Sequence, residues 1–349
     1  MDNHFARKRI HILATGGTIA GVGQIGATGG YASGVLPIES LLSGLPRLQL
    51  IALVTGEQYA NLNSDDITQE IWLGLARRIN DLAESDAYDG FVITHGTDTL
   101  EESAYFFHLA LKTDKPVILT GAMRPATATS PDGPLNLYQS VALASSEKAR
   151  GQGVLVLFSE GIYSARDVRK GNTFRTHAIT GGDMGTLGLM RDDTPMLYHR
   201  SLKDHTVATE FDLSATASLP LVAVAYFHVD AQPGILDSLA ESHDGLVIAG
   251  AGDGIVSLRW EARMRALCAK GFPIVRATRV PDGAVLTAAV NTGTSGSAAP
   301  ACSRRRSRSI SAHNASAASS KAGCGCMAFA KASRQRPSMA SRRASRCRS

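Results

Sequence analysis

The sequence lacks any apolar run of about 18 residues, the length that a membrane-spanning helix requires, so no membrane partner is expected. Cysteine is also scarce, and of five cysteines only Cys268 lies in the first 300 residues, which argues against a disulfide framework there. The N-terminal stretch 1–13 lacks the apolar segment and cleavage site of a secretory signal. We therefore expect a cytoplasmic location for the sequence as given, with a periplasmic location as the alternative if a leader is missing.

Acidic residues are absent from residues 301–349, which carry 12 Lys and Arg. The first 300 residues then hold 24 basic and 31 acidic side chains, a net charge of −7, so the overall charge of +5 comes from the C-terminal tail. From residue 291 onward, large apolar side chains are few and unpatterned, which is typical of disordered low-complexity segments. No aromatic or fold motif accompanies the arginines, so no nucleic-acid partner is expected.

Short β-branched runs alternate with amphipathic helical stretches through most of the chain. Within residues 67–85, Ile71, Leu75, Ile79 and Leu82 fall on one helical face. This alternation predicts an α/β fold with parallel sheets flanked by helices. The predicted strands cover residues 11–15, 49–54, 89–94, 116–120 and 153–158, and the predicted helices cover 67–85, 99–112 and 135–146.

The chain is long enough for two domains, and a polar, weakly periodic stretch separates two α/β patterns. The sequence therefore predicts an N-terminal α/β domain over residues 1–195 and a linker over 196–217. A smaller C-terminal α/β domain is expected over 218–290, followed by a disordered basic tail over 291–349.

A glycine-rich segment contains the spacing G-x-G-x-x-G at Gly21, Gly23 and Gly26. This spacing indicates dinucleotide binding only where a strand directly precedes it and a helix begins on it. The preceding predicted strand ends six residues earlier, at Thr15, and the sequence ATGGYASG follows in place of a helical pattern. We interpret residues 21–34 as a mobile loop and expect no nucleotide cofactor.

Threonines stand at the ends of two predicted strands, where open α/β sheets bind their ligands. Thr15 in ATGGTIAG is followed by two glycines, whose backbone N–H groups are available to an oxyanion. Thr97 and Asp98 follow the strand over 89–94, and Lys170 is a candidate base for a hydroxyl nucleophile. The alternative interpretations are an ordinary strand-to-helix turn, a helix cap and a solvated lysine.

Seven motifs occur in the order and spacing of the bacterial L-asparaginases and glutaminase-asparaginases: ATGGTIAG, GYASG, NSDD, HGTDTLEESA, LTGAMRP, DGPLNL and DVRKGNT. The sequence resembles this family from about residue 10 to residue 284. The resemblance implies two α/β domains and a homotetramer, with each active site between the N-terminal domain of one subunit and the C-terminal domain of its partner. It also implies hydrolysis of L-asparagine to L-aspartate and ammonia by a threonine nucleophile, without a metal or an organic cofactor.

The same resemblance implies roles for individual residues. Thr15 is the implied nucleophile, and Tyr31 on the glycine-rich loop is implied to help activate it and to close over the substrate. The implied proton-moving set consists of Thr97, Asp98 and Lys170. In the implied substrate-binding set, Ser64 holds the α-carboxylate and Asp98 the α-amino group, and the set also includes Asp65 and Gly96.

Departures from the family pattern bear on the expected activity. Asp65 stands where many relatives have Gln, and residues 252–255 read GDGI in place of a GNGN-like segment. Beyond Gly283 the family's acidic stretch and last helix give way to the basic tail, with Ala289 near the expected glutamate. We expect this tail not to pack as that last helix and the activity to be weakened. The alternatives are a glutaminase-asparaginase of broader specificity and a catalytically impaired amino-acid-binding homologue.

Overall fold

The computed structural model describes residues 7–285. Contacts divide the chain into two compact units, and the division falls between Ser218 and Leu219. The predicted basic tail over 291–349 and the last residues of the predicted C-terminal domain lie outside the described residues. Within 7–285, no helix is both long enough and apolar enough to cross a membrane.

The described part of the first unit is built around one large sheet. The strands of this unit, in chain order, are β1 (Arg9–Gly16), β2 (Val22–Gly23), β3 (Tyr31–Ala32), β4 (Leu53–Leu62), β5 (Gly90–Thr94), β6 (Val117–Thr120), β7 (Val154–Phe158), β8 (Gly161–Ser164), β9 (Arg169–Lys170), β10 (Ile179–Thr180), β11 (Gly188–Arg191) and β12 (Thr194–Leu197). Eight of them form the sheet in the order β12-β11-β8-β7-β6-β5-β1-β4. Strands β4, β1, β5, β6 and β7 run parallel, and β8, β11 and β12 extend the sheet in antiparallel pairs.

Helices accompany these strands: α1 (Ile38–Ser43), α2 (Leu48–Ile51), α3 (Gln69–Glu84), α4 (Leu100–Ala110) and α5 (Gly133–Ala144). Thr68 begins α3 by accepting a hydrogen bond from the backbone N–H of Ile71, and the helix buries Leu75 and Ile79 as its periodicity predicts. Helices α4 and α5 are buried along most of their length. Strands β5, β6 and β7 are buried at every residue, which explains their continuous apolar runs.

Two features of the first unit differ from the sequence prediction. Residues 49–54 were predicted as a strand, which is wrong in its first half, because Leu48–Ile51 form α2 and β4 begins at Leu53. A short apolar run is compatible with either a buried helix or a buried strand. In the structure this run is helical, and Leu48 is buried in the main core. The sequence also does not predict β8 to β12, since strands of two to four residues show no clear period.

The second unit contains a three-stranded parallel sheet in the order β13-β14-β15, with strands β13 (Val222–Tyr226), β14 (Gly245–Gly250) and β15 (Ile274–Thr278) and helices α6 (Gly234–Ser242) and α7 (Leu258–Ala269). Leu236 of α6 and Trp260 of α7 pack with the apolar side chains of β14. The two units confirm the predicted fold class, an α/β protein with a large, mostly parallel sheet flanked by helices and a smaller C-terminal α/β domain.

Candidate active site

Thr15 lies near the carboxyl end of β1, beside the carboxyl end of β5. Ala14 and Thr94 are paired in the parallel register of these strands. The Thr15 hydroxyl donates a hydrogen bond to the backbone oxygen of Thr94 over 2.8 Å, and the residue is only 2% exposed. The hydroxyl of Thr15, the predicted nucleophile, is therefore fixed at the edge of the sheet where α/β folds bind their ligands.

Two glycines allow three chain segments to converge beside Thr15. Gly16 and Gly17 have φ values of 106° and 81°, in the region that side chains disfavour. A Cβ at Gly16 would lie 2.5 Å from the backbone of Leu62, and a Cβ at Gly17 would lie 2.5 Å from the backbone nitrogen of Gly96. The sequence Thr-Gly-Gly is thus required by close backbone approach from the ends of β4 and β5.

Ser64 follows β4 and lies against the segment that follows β5. Its backbone oxygen accepts a 2.6 Å hydrogen bond from the Thr99 hydroxyl, and its own hydroxyl accepts from the Thr99 N–H over 3.4 Å. A Cβ at Gly96 would lie 2.9 Å from the Ser64 side chain, so these two predicted residues are neighbours. Ser64 is buried, whereas the adjacent Asp65 is exposed.

Lys170 reaches from β9 to the residues that precede α4. Its Nζ donates to the Thr97 hydroxyl over 2.9 Å and to Oδ1 of Asp98 over 2.6 Å. The lysine side chain is 16% exposed and that of Asp98 is 70% exposed, so the carboxylate remains open to a ligand from the solvent side. The three residues predicted as one set are brought together.

Tyr31 lies in a small hairpin formed by β2 and β3, and its Oη is 2.8 Å from the Thr18 hydroxyl. The hairpin is attached to residues 126–129: Thr127 accepts from the N–H groups of Gly23 and Gly26 over 3.0 and 2.9 Å. This hairpin occupies the place where a dinucleotide-binding fingerprint has a helix, in agreement with our interpretation of the glycine spacing as a loop. The mobility of the loop stays a prediction.

The motifs LTGAMRP and DGPLNL shape the neighbouring strand end. The Asp132 carboxylate accepts from the N–H groups of Met123 and Arg124 over 3.0 and 2.9 Å. Asn136 donates to the backbone oxygen of Gly121 over 3.0 Å. A Cβ at Gly121 would meet the backbone oxygen of His95 at 2.4 Å, so this turn packs directly against the Thr97 segment.

Sequence reasoning missed a buried series of hydrogen bonds that ends at the backbone of Gly96. The indole of Trp72 donates to the Ser103 hydroxyl over 2.7 Å, Ser103 lies 2.8 Å from Nε2 of His95, and Nδ1 of His95 lies 2.7 Å from the Gly96 backbone oxygen. Burial lowers the pKa of His95 and so favours the neutral ring. The available signals were a histidine directly before Gly-Thr-Asp-Thr and a serine within a mostly apolar helix.

Sequence reasoning also missed Glu101 as a residue that supports the site. It lies in the first turn of α4 and is 9% exposed. Its Oε2 accepts a 2.5 Å hydrogen bond from the backbone N–H of Lys170.

Residues 252–255, where the sequence departs from the family pattern, form a turn after β14 in which Gly252 and Gly254 have positive φ. Among residues 7–285 there is no group of three or more His, Cys, Asp or Glu side chains arranged to hold a metal ion.

The fold and the site define a class: two-domain α/β proteins whose hydroxyl, carboxylate and lysine groups gather at the carboxyl ends of parallel strands. The family model for the N-terminal asparaginase domain matches residues 9–203, and that for the glutaminase/asparaginase C-terminal domain matches residues 221–314. The chain belongs to the asparaginase family, as the motifs predicted. The second match extends past residue 284 into the tail.

Individual relatives agree with this membership. The probable periplasmic L-asparaginase of Haemophilus influenzae is 42% identical over 276 residues, 78% of each chain. The glutaminase-asparaginase of Pseudomonas fluorescens is 44% identical over 78% of this chain and 75% of its own. The crystal structure of the probable cytoplasmic L-asparaginase from Campylobacter jejuni has a TM-score of 0.78 at 42% identity, covering 80% of this chain and 86% of that one.

Proposed function

We propose that this protein hydrolyses the side-chain amide of L-asparagine to L-aspartate and ammonia. In the proposed reaction, Oγ1 of Thr15 attacks the amide carbon and loses its proton, and the amide nitrogen leaves as ammonia after receiving a proton. Water then cleaves the resulting ester, which returns the proton to Thr15 and releases aspartate. The observation that carries this proposal is the buried Thr15 hydroxyl bonded to the end of β5, the strand that leads into the Thr97, Asp98 and Lys170 set.

Lys170 is the proposed centre of proton transfer, because its Nζ contacts both the Thr97 hydroxyl and the Asp98 carboxylate. The proposed role of Tyr31 is to help activate Thr15 when the glycine-rich loop closes. Its 2.8 Å contact with Thr18, three residues beyond Thr15, supports this role. The N–H group of Gly17 donates to the backbone oxygen of Leu62 over 3.0 Å, so it is not available as an oxyanion donor as the sequence suggested.

Ser64, Asp65, Gly96 and Asp98 form the proposed substrate-binding set. Ser64 would hold the α-carboxylate and Asp98 the α-ammonium group, and contact between Gly96 and Ser64 supports their common position. The exposed carboxylates of Asp65 and Asp98 give the site negative charge for the ammonium group. Neither step of the proposed reaction requires a metal or an organic cofactor.

Ammonia release by the purified protein with asparagine tests the proposal directly. Thr15→Ala is expected to remove several orders of magnitude of rate while leaving the fold intact, because the covalent nucleophile is lost. Thr194→Ala, in the exposed first residue of β12, is the matched control and should retain full activity. If Thr15→Ala kept more than about a tenth of the rate, the assignment of the nucleophile would be wrong.

Glutamine is the second candidate substrate, since relatives named glutaminase-asparaginase are 44% and 40% identical to this chain. Glutamine has one additional methylene, and a pocket discriminates such a difference by only about 1–3 kcal/mol. Steady-state kinetics with both amides in parallel separates the two activities. Aspartate binding by calorimetry without ammonia release from either amide would instead identify an impaired amino-acid-binding homologue.

The proposed assembly is a homotetramer, and light scattering coupled to size-exclusion chromatography tests it. The proposed domain boundaries place a linker at 196–217, and limited proteolysis should cut first within it. A cytoplasmic location is the remaining proposal. The names of the Haemophilus influenzae and Campylobacter jejuni proteins refer to the periplasm and the cytoplasm respectively, so cell fractionation is required to decide it.

A further inference from the structure

Both ends of Lys170 are held by residues 97–101. Its Nζ contacts Thr97 and Asp98, and its backbone N–H donates to Oε2 of Glu101 over 2.5 Å. These partners lie in the short segment that leads from β5 into α4. Lys170 is therefore hydrogen-bonded to the same short segment at both its side chain and its backbone. The bond to Glu101 fixes the position of its backbone relative to Thr97.

The strand that carries Lys170 provides little support by itself. Strand β9 has two residues and pairs with the two residues of β10. The N–H of Gly171 donates to the backbone oxygen of Ala178 over 2.7 Å, whereas that of Lys170 points to the other side, toward α4. Successive N–H groups of a strand alternate in direction, so β10 does not serve this donor. The Glu101 carboxylate takes the place that a neighbouring strand's carbonyl would have.

Glu101 is suited to this function by its location. It is nearly buried in the first turn of α4, where the positive end of the helix dipole stabilises a carboxylate. Hydrogen bonds to an ionised acceptor are shorter and stronger than neutral ones, in agreement with the 2.5 Å separation. The side chain binds the backbone of Lys170 and leaves the ammonium group to Thr97 and Asp98.

We propose that Glu101 is a positioning residue for the amide hydrolysis, acting by anchoring the backbone of Lys170. The proposal rests on the proposed function, because Lys170 is the proton-transfer group of that reaction. Misplacement of a catalytic group by about 1 Å costs up to about 100-fold in rate. Loss of the anchor should therefore lower kcat and have little effect on KM.

Two variants of similar length separate the hydrogen bond from the charge. Glu101→Gln keeps an oxygen acceptor and is expected to retain kcat within about threefold, whereas Glu101→Met has none and should lose about tenfold to 100-fold. KM for asparagine should change less than about threefold in both, since the substrate-binding groups are untouched. Glu70→Gln and Glu70→Met, in the exposed first turn of α3, are the matched controls and should leave both constants unchanged.

Hydrogen exchange followed by mass spectrometry gives a readout that does not depend on activity. A peptide spanning residues 168–172 should show one additional fast-exchanging amide in Glu101→Met and none in Glu101→Gln. If the wild-type protein releases no ammonia, the proposed function fails, and this exchange pattern still tests the anchor. If Glu101→Met does not fold, exchange of the Lys170 amide in the wild-type protein decides, because the anchor predicts slow exchange there and fast exchange would overturn the inference.

Three other results would overturn the inference. One is a kcat for Glu101→Met equal to that of the wild type, and another is an equal loss of tenfold or more in both variants, which would indicate charge in place of the hydrogen bond. The third is unchanged exchange of the Lys170 amide in Glu101→Met.

Discussion

Ser103→Ala is expected to be the most destabilising loss of a single hydroxyl near the site. Ser103 is fully buried, and its hydroxyl bonds to both the Trp72 indole and the His95 imidazole. The Trp72 indole can only donate, so the Ser103 hydroxyl accepts from it and donates to Nε2 of His95. Nδ1 of His95 then carries the proton that is donated to the Gly96 backbone oxygen, which assigns the tautomer.

The magnitude follows from the number of groups left without a partner. Removing the hydroxyl leaves a buried indole N–H and a buried imidazole nitrogen, and each such group costs about 1–3 kcal/mol. We therefore expect the free energy of unfolding to fall by about 2–6 kcal/mol, a large part of the usual margin of about 5–15 kcal/mol. The Gly96 backbone, which contacts Ser64 and Gly17, should also lose its fixed orientation, so that kcat falls as well.

Urea denaturation followed by circular dichroism, at one protein concentration for all variants, measures this loss. Ser140→Ala is the matched control, because Ser140 is equally buried and its hydroxyl donates one 2.7 Å bond to the backbone of Asn136 within α5. That change should cost about 1 kcal/mol. A loss for Ser103→Ala no greater than for Ser140→Ala would refute the assignment of Ser103 as the link between Trp72 and His95.

Three further predictions concern the loop, the pH dependence and the neighbouring turn. Saturating aspartate should protect residues 21–34 from limited proteolysis, and equal cleavage with and without it would contradict loop closure. The folded-state pKa of His95 is lowered by burial, so below about pH 6.5 the unfolded state binds the additional proton and stability falls as the pH falls, by up to about 1.4 kcal/mol per unit. Urea midpoints between pH 7 and 5.5 should therefore decline, and less steeply in His95→Gln. Asp132→Ala leaves the N–H groups of Met123 and Arg124 without their acceptor and should lower the melting temperature by several degrees in calorimetry, whereas Asp132→Asn should lower it less.

The sequence predicted the central strands well because they are buried on both faces and therefore read as continuous apolar runs. It also predicted part of the buried face of α3, namely Leu75 and Ile79, since the period of a helix is visible over many residues. It did not predict α2 (Leu48–Ile51), because a four-residue apolar segment fits either structure. The short antiparallel strands β8 to β12 were not predicted because strands of two to four residues show no clear period, even where two-residue turns join neighbours, as between β7 and β8 and between β11 and β12.

The proposed reacting groups were found from the sequence because they lie at strand ends within recognisable motifs. Thr15, Thr97 and Asp98 have this property, and Lys170 was added from its motif. The supporting groups were not found, because nothing in the local pattern distinguishes Glu101 and Ser103 from other polar residues of a helix. Their function depends on contacts that only the fold reveals. Glu101 bonds to Lys170, which lies 69 positions later, and Ser103 bonds to His95, which lies eight positions earlier.

The site is supported in two physically different ways. Residues 95–103 contain three of the proposed reacting or binding groups and also the supports Glu101 and Ser103, so any shift of the first turns of α4 displaces Gly96, Thr97 and Lys170 together. The glycine-rich loop, in contrast, is attached to residues 126–129 through a few hydrogen bonds to Thr127 and its neighbours. A few partly buried hydrogen bonds break at lower cost than a fully buried network. Substitutions beneath α4 should therefore act on kcat through geometry, whereas substitutions in 126–129 should act on loop closure and hence on KM.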